Sequence, residues 1–158
     1  MDTLTSVQYF WEAKTPDATA QDITKVLQYY LPRLQKTSFM LVGYSFGADV
    51  IPFIANRLPA DLKKRLSMVA MLSPDDKTDF EVTISSMLDL GTEDTYDVLK
   101  EIKKVNFTKK LCIFGSEEDD EDMQKSFKSN GAEVMVLNGG HHYDENYSLI
   151  VSSILKHL

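Results

Sequence analysis

Four short apolar runs constrain this chain more than any other feature: residues 38–42, 68–72, 111–114 and 134–137. Each is too short for a core helix and shows no polar alternation, which is the pattern of a strand buried on both faces. Helical periodicity separates or follows the runs. Thr15-Pro16-Asp17 supplies a cap, a first-turn proline and an early acid, and Ile23, Val26, Leu27, Tyr30 and Leu31 then mark one helix face. Further helices are expected over residues 48–58, 96–104, 122–130 and 145–158. Strands alternating with helices imply right-handed crossovers and a mostly parallel sheet with helices on both faces, an α/β fold whose site lies at the strand C-termini. Residues 80–85 instead alternate apolar and polar, and predict a half-exposed strand or an excursion near the site.

Residues 1–158 read as one domain, with no repeat or linker dividing them. A net charge of −7 argues against a nucleic-acid partner, and no apolar run is long enough for a membrane span. The one cysteine, Cys112, lies inside an apolar run and reads as a buried strand thiol. No charged-then-apolar leader precedes Met1-Asp2-Thr3, so the expectation is a cytoplasmic protein or a chain that begins after a removed segment.

Chemistry concentrates where the runs end. Gly43-Tyr44-Ser45-Phe46-Gly47 fits G-x-S-x-G, directly after one strand candidate and before a helix. In that context the serine stands on a sharp turn as a nucleophile, and glycines two residues to either side avoid a collision. The Phe46 N–H, at the helix N-terminus, is the candidate oxyanion donor. A serine hydroxyl needs a base. His157, at the end of the last helix, reads as a solvated cation, whereas His141 and His142 follow residues 134–137 through Asn138-Gly139-Gly140. His141 is the expected base, with His142 the alternative. The acidic run of residues 117–122 follows the strand at 111–114. Most of its members read as solvated or capping groups, while Asp120, with Asp119 as alternative, is expected to orient the histidine in the order Ser, Asp, His. EF-hand and zinc spacings are lacking, so no metal and no cofactor is expected. Pro52 falls inside the helix after Ser45, where it removes a backbone bond. Asp49, one turn into that helix, reads either as a partner for the helix dipole or as a contact for a cationic substrate.

These residues carry a resemblance. Gln8-Tyr9-Phe10-Trp11, Lys14-Thr15-Pro16, Gly43 through Phe53, Asn56-Arg57-Leu58-Pro59, Asp79-Phe80-Glu81 and Gly139-Gly140-His141-His142-Tyr143 together resemble the VirJ/AcvB bacterial virulence protein family. The resemblance implies an α/β-hydrolase-like domain of the bacterial envelope, associated with type IV secretion and with hydrolysis of lysyl-phosphatidylglycerol. It therefore implies a lipid or small-molecule ester substrate, met at a membrane surface, and secretion-system protein partners. It carries Ser45 as nucleophile, an acid from residues 118–120 and the Gly-Gly-His-His motif as base. A periplasmic or envelope location follows if a signal segment is missing. The family pattern has an arginine where this chain has Gln8. It also has an upstream strand and a Gly-rich loop giving a second oxyanion N–H, so residues 1–158 are expected to be the C-terminal part of the complete family domain. The leading expectation is an ester hydrolase acting through an acyl-enzyme. The alternative is a non-catalytic adaptor on the same fold.

Overall fold

The computed structural model describes Tyr9 and residues 14–80, 96–118 and 120–158. The strand expected at 80–85 lies outside them except for Phe80, which is buried against Phe53 and Tyr96.

The elements follow the sequence pattern in order: α1 (Pro16–Arg33), β1 (Phe39–Tyr44), α2 (Phe46–Arg57), α3 (Ala60–Lys63), β2 (Leu66–Leu72), β3 (Lys77–Thr78), β4 (Tyr96–Asp97), α4 (Val98–Lys104), β5 (Lys109–Gly115), α5 (Glu121–Ser129), β6 (Glu133–Leu137), a 3₁₀ turn (Tyr143–Glu145) and α6 (Tyr147–Lys156). Local chemistry sets the boundaries. Thr15 Oγ1 accepts the Ala18 N–H at 3.2 Å at the head of α1, and Asn146 Oδ1 accepts the Leu149 N–H at 3.1 Å at the head of α6. Among the described residues, no helix is long and apolar enough to cross a membrane.

β1, β2, β5 and β6 form one parallel sheet in that spatial order, while β3 and β4 pair antiparallel outside it. Because side chains alternate across a strand, each sheet face makes its own core. Val69, Met71, Cys112 and Phe114 pack with Ala48, Phe53, Ile102 and Phe127 from α2, α4 and α5. Met68, Ala70, Leu72, Leu111 and Ile113 pack on the other side with Tyr143, Ile150 and Ile154. Helices thus cover both faces. The central strands β2 and β5 are buried on both, as their composition requires. The edge strands β1 and β6 depart from that expectation. Among the described residues β1 pairs only with β2 and β6 only with β5, and Val42, Tyr44 and Val136 remain 49%, 41% and 46% exposed.

Glu101, 4% exposed, is the main buried acid. Its Oε1 accepts from Arg57 at 2.9 Å and from Asn56 at 3.1 Å, and its Oε2 accepts from Lys104 at 2.6 Å. Arg57 also reaches Asp17 on α1 at 3.2 Å. Burial alone would raise the Glu101 carboxyl, but the bonds from Lys104, Arg57 and Asn56 outweigh it and hold the group below its ordinary range. Burial pushes the Cys112 thiol up to about 12, which makes it an inert core residue.

Two outcomes follow for unfolding in urea. Phe114→Ala, which empties a fully buried site against Phe127, should cost about 3–5 kcal/mol, while Val42→Ala at the open edge should cost about 1 kcal/mol or less. Glu101→Gln should be less stable than wild type at neutral pH. Because the folded carboxyl is depressed, its contribution is present above the ordinary value of about 4.3, so the gap should close as pH falls below it.

Candidate functional site

β1 ends at Tyr44 and α2 begins at Phe46, so Ser45 alone makes the turn. Its backbone sits at φ 52°, ψ −128°, a conformation that costs a non-glycine residue on the order of 1–3 kcal/mol. The turn is held on both sides. The Ser45 N–H donates to Leu72 O at 2.8 Å, and the Ser45 carbonyl accepts from Ala48 N at 2.7 Å. A β-carbon on Gly43 would lie 2.2 Å from Gly47 O, a backbone atom that cannot yield, whereas one on Gly47 would meet nothing within 4 Å. The steric need for glycine is therefore one-sided, and the expectation of a collision at Gly47 is corrected. Phe46 is the first residue of α2, which places its N–H at the helix N-terminus.

The loops after the four strands are tied together by bonds that continue the sheet. Ser73 N donates to Ile113 O at 2.8 Å, Ser116 N to Leu137 O at 2.8 Å and Glu117 N to Gly139 O at 3.1 Å. Gly115 permits the closest of these approaches, since a β-carbon there would lie 2.5 Å from Gly140 O. These bonds line up the loops that carry Ser73, residues 116–118 and Gly139 at the strand C-termini, the end of the sheet at which Ser45 follows β1.

Within this row the carboxylate that meets the histidine belongs to Glu118. His141 Nδ1 lies 2.6 Å from Glu118 Oε1, and the side chains are 44% and 12% exposed. Asp120, the expected partner, instead sits at the N-cap of α5, two residues beyond, and Asp119 lies outside the described residues. The physical reason is a tight turn: Glu118 N donates to Gly115 O at 3.2 Å, which folds Glu118 back over the end of β5. Its Oε2 accepts the Gly115 N–H at 2.6 Å and the Ser73 hydroxyl at 2.9 Å.

The two adjacent histidines diverge. The His141 ring lies 5.1 Å from that of Tyr44, next to Ser45, and holds Glu118 through Nδ1. His142 turns its Nδ1 to the Tyr44 hydroxyl at 2.8 Å. Partial burial, followed by the Glu118 charge, raises the Tyr44 phenol above its ordinary value. His157 differs from the solvated cation expected of it: Nδ1 bonds Ser153 O at 2.7 Å and Nε2 lies 3.2 Å from Glu133. Asp49 is 7% exposed, and its Oδ1 accepts the Asp75 N–H at 2.7 Å, which ties α2 to the loop after β2. The sequence reading gives Ser73 and Tyr143 no role, although Tyr143 closes the Gly139-Gly140-His141-His142-Tyr143 motif. Their only advance signals are a serine closing a strand and a tyrosine following the histidine pair. Among the described residues, no group of three or more His, Cys, Asp or Glu side chains is arranged to hold a metal ion.

Comparison with known proteins gives this geometry a setting. A family model described as bacterial virulence protein (VirJ) matches residues 2–158. No curated protein matches the sequence. Among solved structures, MenH from S. aureus superposes with a TM-score of 0.64 at 14% identity, over 92% of this chain and 77% of that one. The proline iminopeptidase of Mycobacterium smegmatis gives 0.62 at 12% identity, over 97% and 72%. A lipase-esterase related protein from Clostridium acetobutylicum gives 0.61 at 14% identity, over 99% and 77%. The fold is that of the α/β-hydrolases.

The one-sided steric need at the Ser45 turn is testable by thermal unfolding. Gly43→Ala should lower stability by more than about 3 kcal/mol, because backbone must move, whereas Gly47→Ala should lie within about 1 kcal/mol of wild type.

Proposed function

Because the chain belongs to the bacterial virulence protein (VirJ) family, we propose that it is a serine hydrolase that cleaves an ester through an acyl-enzyme. The observation that carries this reading is the 2.6 Å bond between His141 and Glu118, beside the strained Ser45 turn at the C-terminal end of a parallel sheet. In the proposed reaction Ser45 Oγ attacks the ester carbonyl while His141 takes the hydroxyl proton through its second ring nitrogen. Glu118 accepts from Nδ1 and so fixes the tautomer that leaves that nitrogen free. The Phe46 N–H stabilises the oxyanion. His141 then returns the proton to the departing alcohol, and water, deprotonated by the same ring, releases the acid and restores Ser45.

Charge around the strand ends narrows the substrate. Asp75, Glu117, Asp144 and Glu145 are exposed on the loops that follow β2, β5 and β6. Such a rim attracts cations and repels anions. It suits the ester of a cationic acyl group, such as the lysyl ester of an aminoacylated phospholipid such as lysyl-phosphatidylglycerol, approached from a membrane surface. His142, held on Tyr44, shapes the mouth of the site in this scheme and takes no proton.

Turnover of a chromogenic short-chain ester tests the chemistry. Ser45→Ala should abolish it, and His141→Ala should lower it by about three orders of magnitude or more. His142→Ala should cost about tenfold at most. Undiminished turnover in Ser45→Ala would overturn the reading, and the absence of any Ser45-dependent turnover would favour a binding protein on the hydrolase fold. For specificity, a lysyl ester should be cleaved faster than the matching uncharged ester, with the advantage shrinking as salt rises above about 0.15 M.

A further inference from the structure

Behind Glu118 runs a buried chain of oxygens that the proposed reaction does not use. Ser73 Oγ lies 2.9 Å from Glu118 Oε2 and 2.7 Å from Tyr143 Oη, and Tyr143 Oη lies 2.8 Å from Ile113 O. Ser73 and Tyr143 are 8% and 2% exposed, so these contacts lie away from bulk solvent. Two hydroxyl protons serve three contacts, and one contact therefore lacks a proton at any instant. A carboxylate is the strongest acceptor of the set, so Ser73 donates to Glu118. The Tyr143 hydroxyl then points its proton between Ile113 O, whose other lone pair takes the Ser73 N–H at 2.8 Å, and Ser73 Oγ. Burial pushes the Tyr143 phenol up to about 12, which keeps its proton in place.

The backbone shows that this convergence is built. Six non-glycine residues among those described have positive φ, and five of them follow β1, β2 or β6, including Ser73 at 47° and Tyr143 at 52°. Strain of this kind persists where surrounding structure enforces it. The loop after β2 and the loop after β6 are both bent so that their hydroxyls meet behind the residue that follows β5.

We propose that Ser73 and Tyr143 are positioning residues, a donor chain in which Tyr143 orients Ser73 and Ser73 fixes the Glu118 carboxylate with Oε1 toward His141. This rests on the reading of His141 and Glu118 as a working pair. It assigns to two residues outside that pair the task of preventing the carboxylate from rotating toward solvent.

The experiment compares Ser73→Ala, Tyr143→Phe and the double variant, each confirmed as folded by circular dichroism. Two quantities are read: kcat and KM for the short-chain ester, and the proton resonance of His141 Nδ1 in nitrogen-edited NMR. Ser73→Ala should lower kcat about 10–100-fold with KM nearly unchanged, and should broaden or displace the Nδ1 proton signal. Tyr143→Phe should cost less, and the double variant should be no worse than Ser73→Ala, because Tyr143 acts through Ser73. Unchanged kcat and an unchanged Nδ1 signal in Ser73→Ala would overturn the proposal, as would losses that multiply in the double variant. The NMR signal does not depend on turnover. If no Ser45-dependent hydrolysis exists, the hydrolase reading fails while the signal still decides whether the donor chain holds Glu118.

Discussion

The Glu118 carboxylate is the joint on which the candidate site depends. It stands after β5, accepts the N–H of Gly115 at its own strand end, takes a hydroxyl from the residue after β2, and meets a histidine from the loop after β6. Three loops distant in sequence thus converge on two oxygens. Bonds to an ionised acceptor are the strong kind, and a carboxylate only 12% exposed loses more than a surface one when a partner is removed. Remove this group and the ring of His141, itself 44% exposed, loses its Nδ1 bond and keeps the ring contacts with Tyr44 and His142.

The sheet supplies the frame. Parallel pairing brings the ends of β1, β2, β5 and β6 into line, and N–H groups just beyond β1, β2 and β5 continue the ladder onto the neighbouring strand. Close backbone approach is the price of this arrangement: Gly43 lies against Gly47, and Gly115 lies against Gly139 and Gly140. The positive-φ residues Ser45, Ser73 and Tyr143 follow β1, β2 and β6. Rigid strands anchor each strained residue, so a serine, a histidine and an acid can be held in mutual order by short loops.

Much of this was legible in the sequence because it rests on local pattern. The apolar runs of 38–42, 68–72, 111–114 and 134–137 each coincide with a strand, and the serine turn and histidine pair lie where strand-end chemistry belongs. The acid was harder to read. Residues 117–122 offer six adjacent carboxylates of similar type, and the choice among them depends on which one meets His141 and Ser73 from other loops, a tertiary matter. Asp120 suits a helix cap by the same local rules that made it a candidate. The edge positions of β1 and β6 were equally hidden, because a short apolar run does not record strand order. Asp49 shows the reverse case: a residue read as a dipole partner or substrate contact proves to hold a loop backbone.

The central claim is that Glu118, rather than Asp120, orients the base that activates Ser45, and the rate of covalent labelling by a fluorophosphonate measures this most directly. Peptide mapping of the labelled protein should place the adduct on Ser45. Glu118→Gln should slow labelling by about 100-fold or more, while Asp120→Asn should stay within about threefold of wild type. Labelling that is slowed by Asp120→Asn and untouched by Glu118→Gln, or an adduct on a residue other than Ser45, would contradict the account.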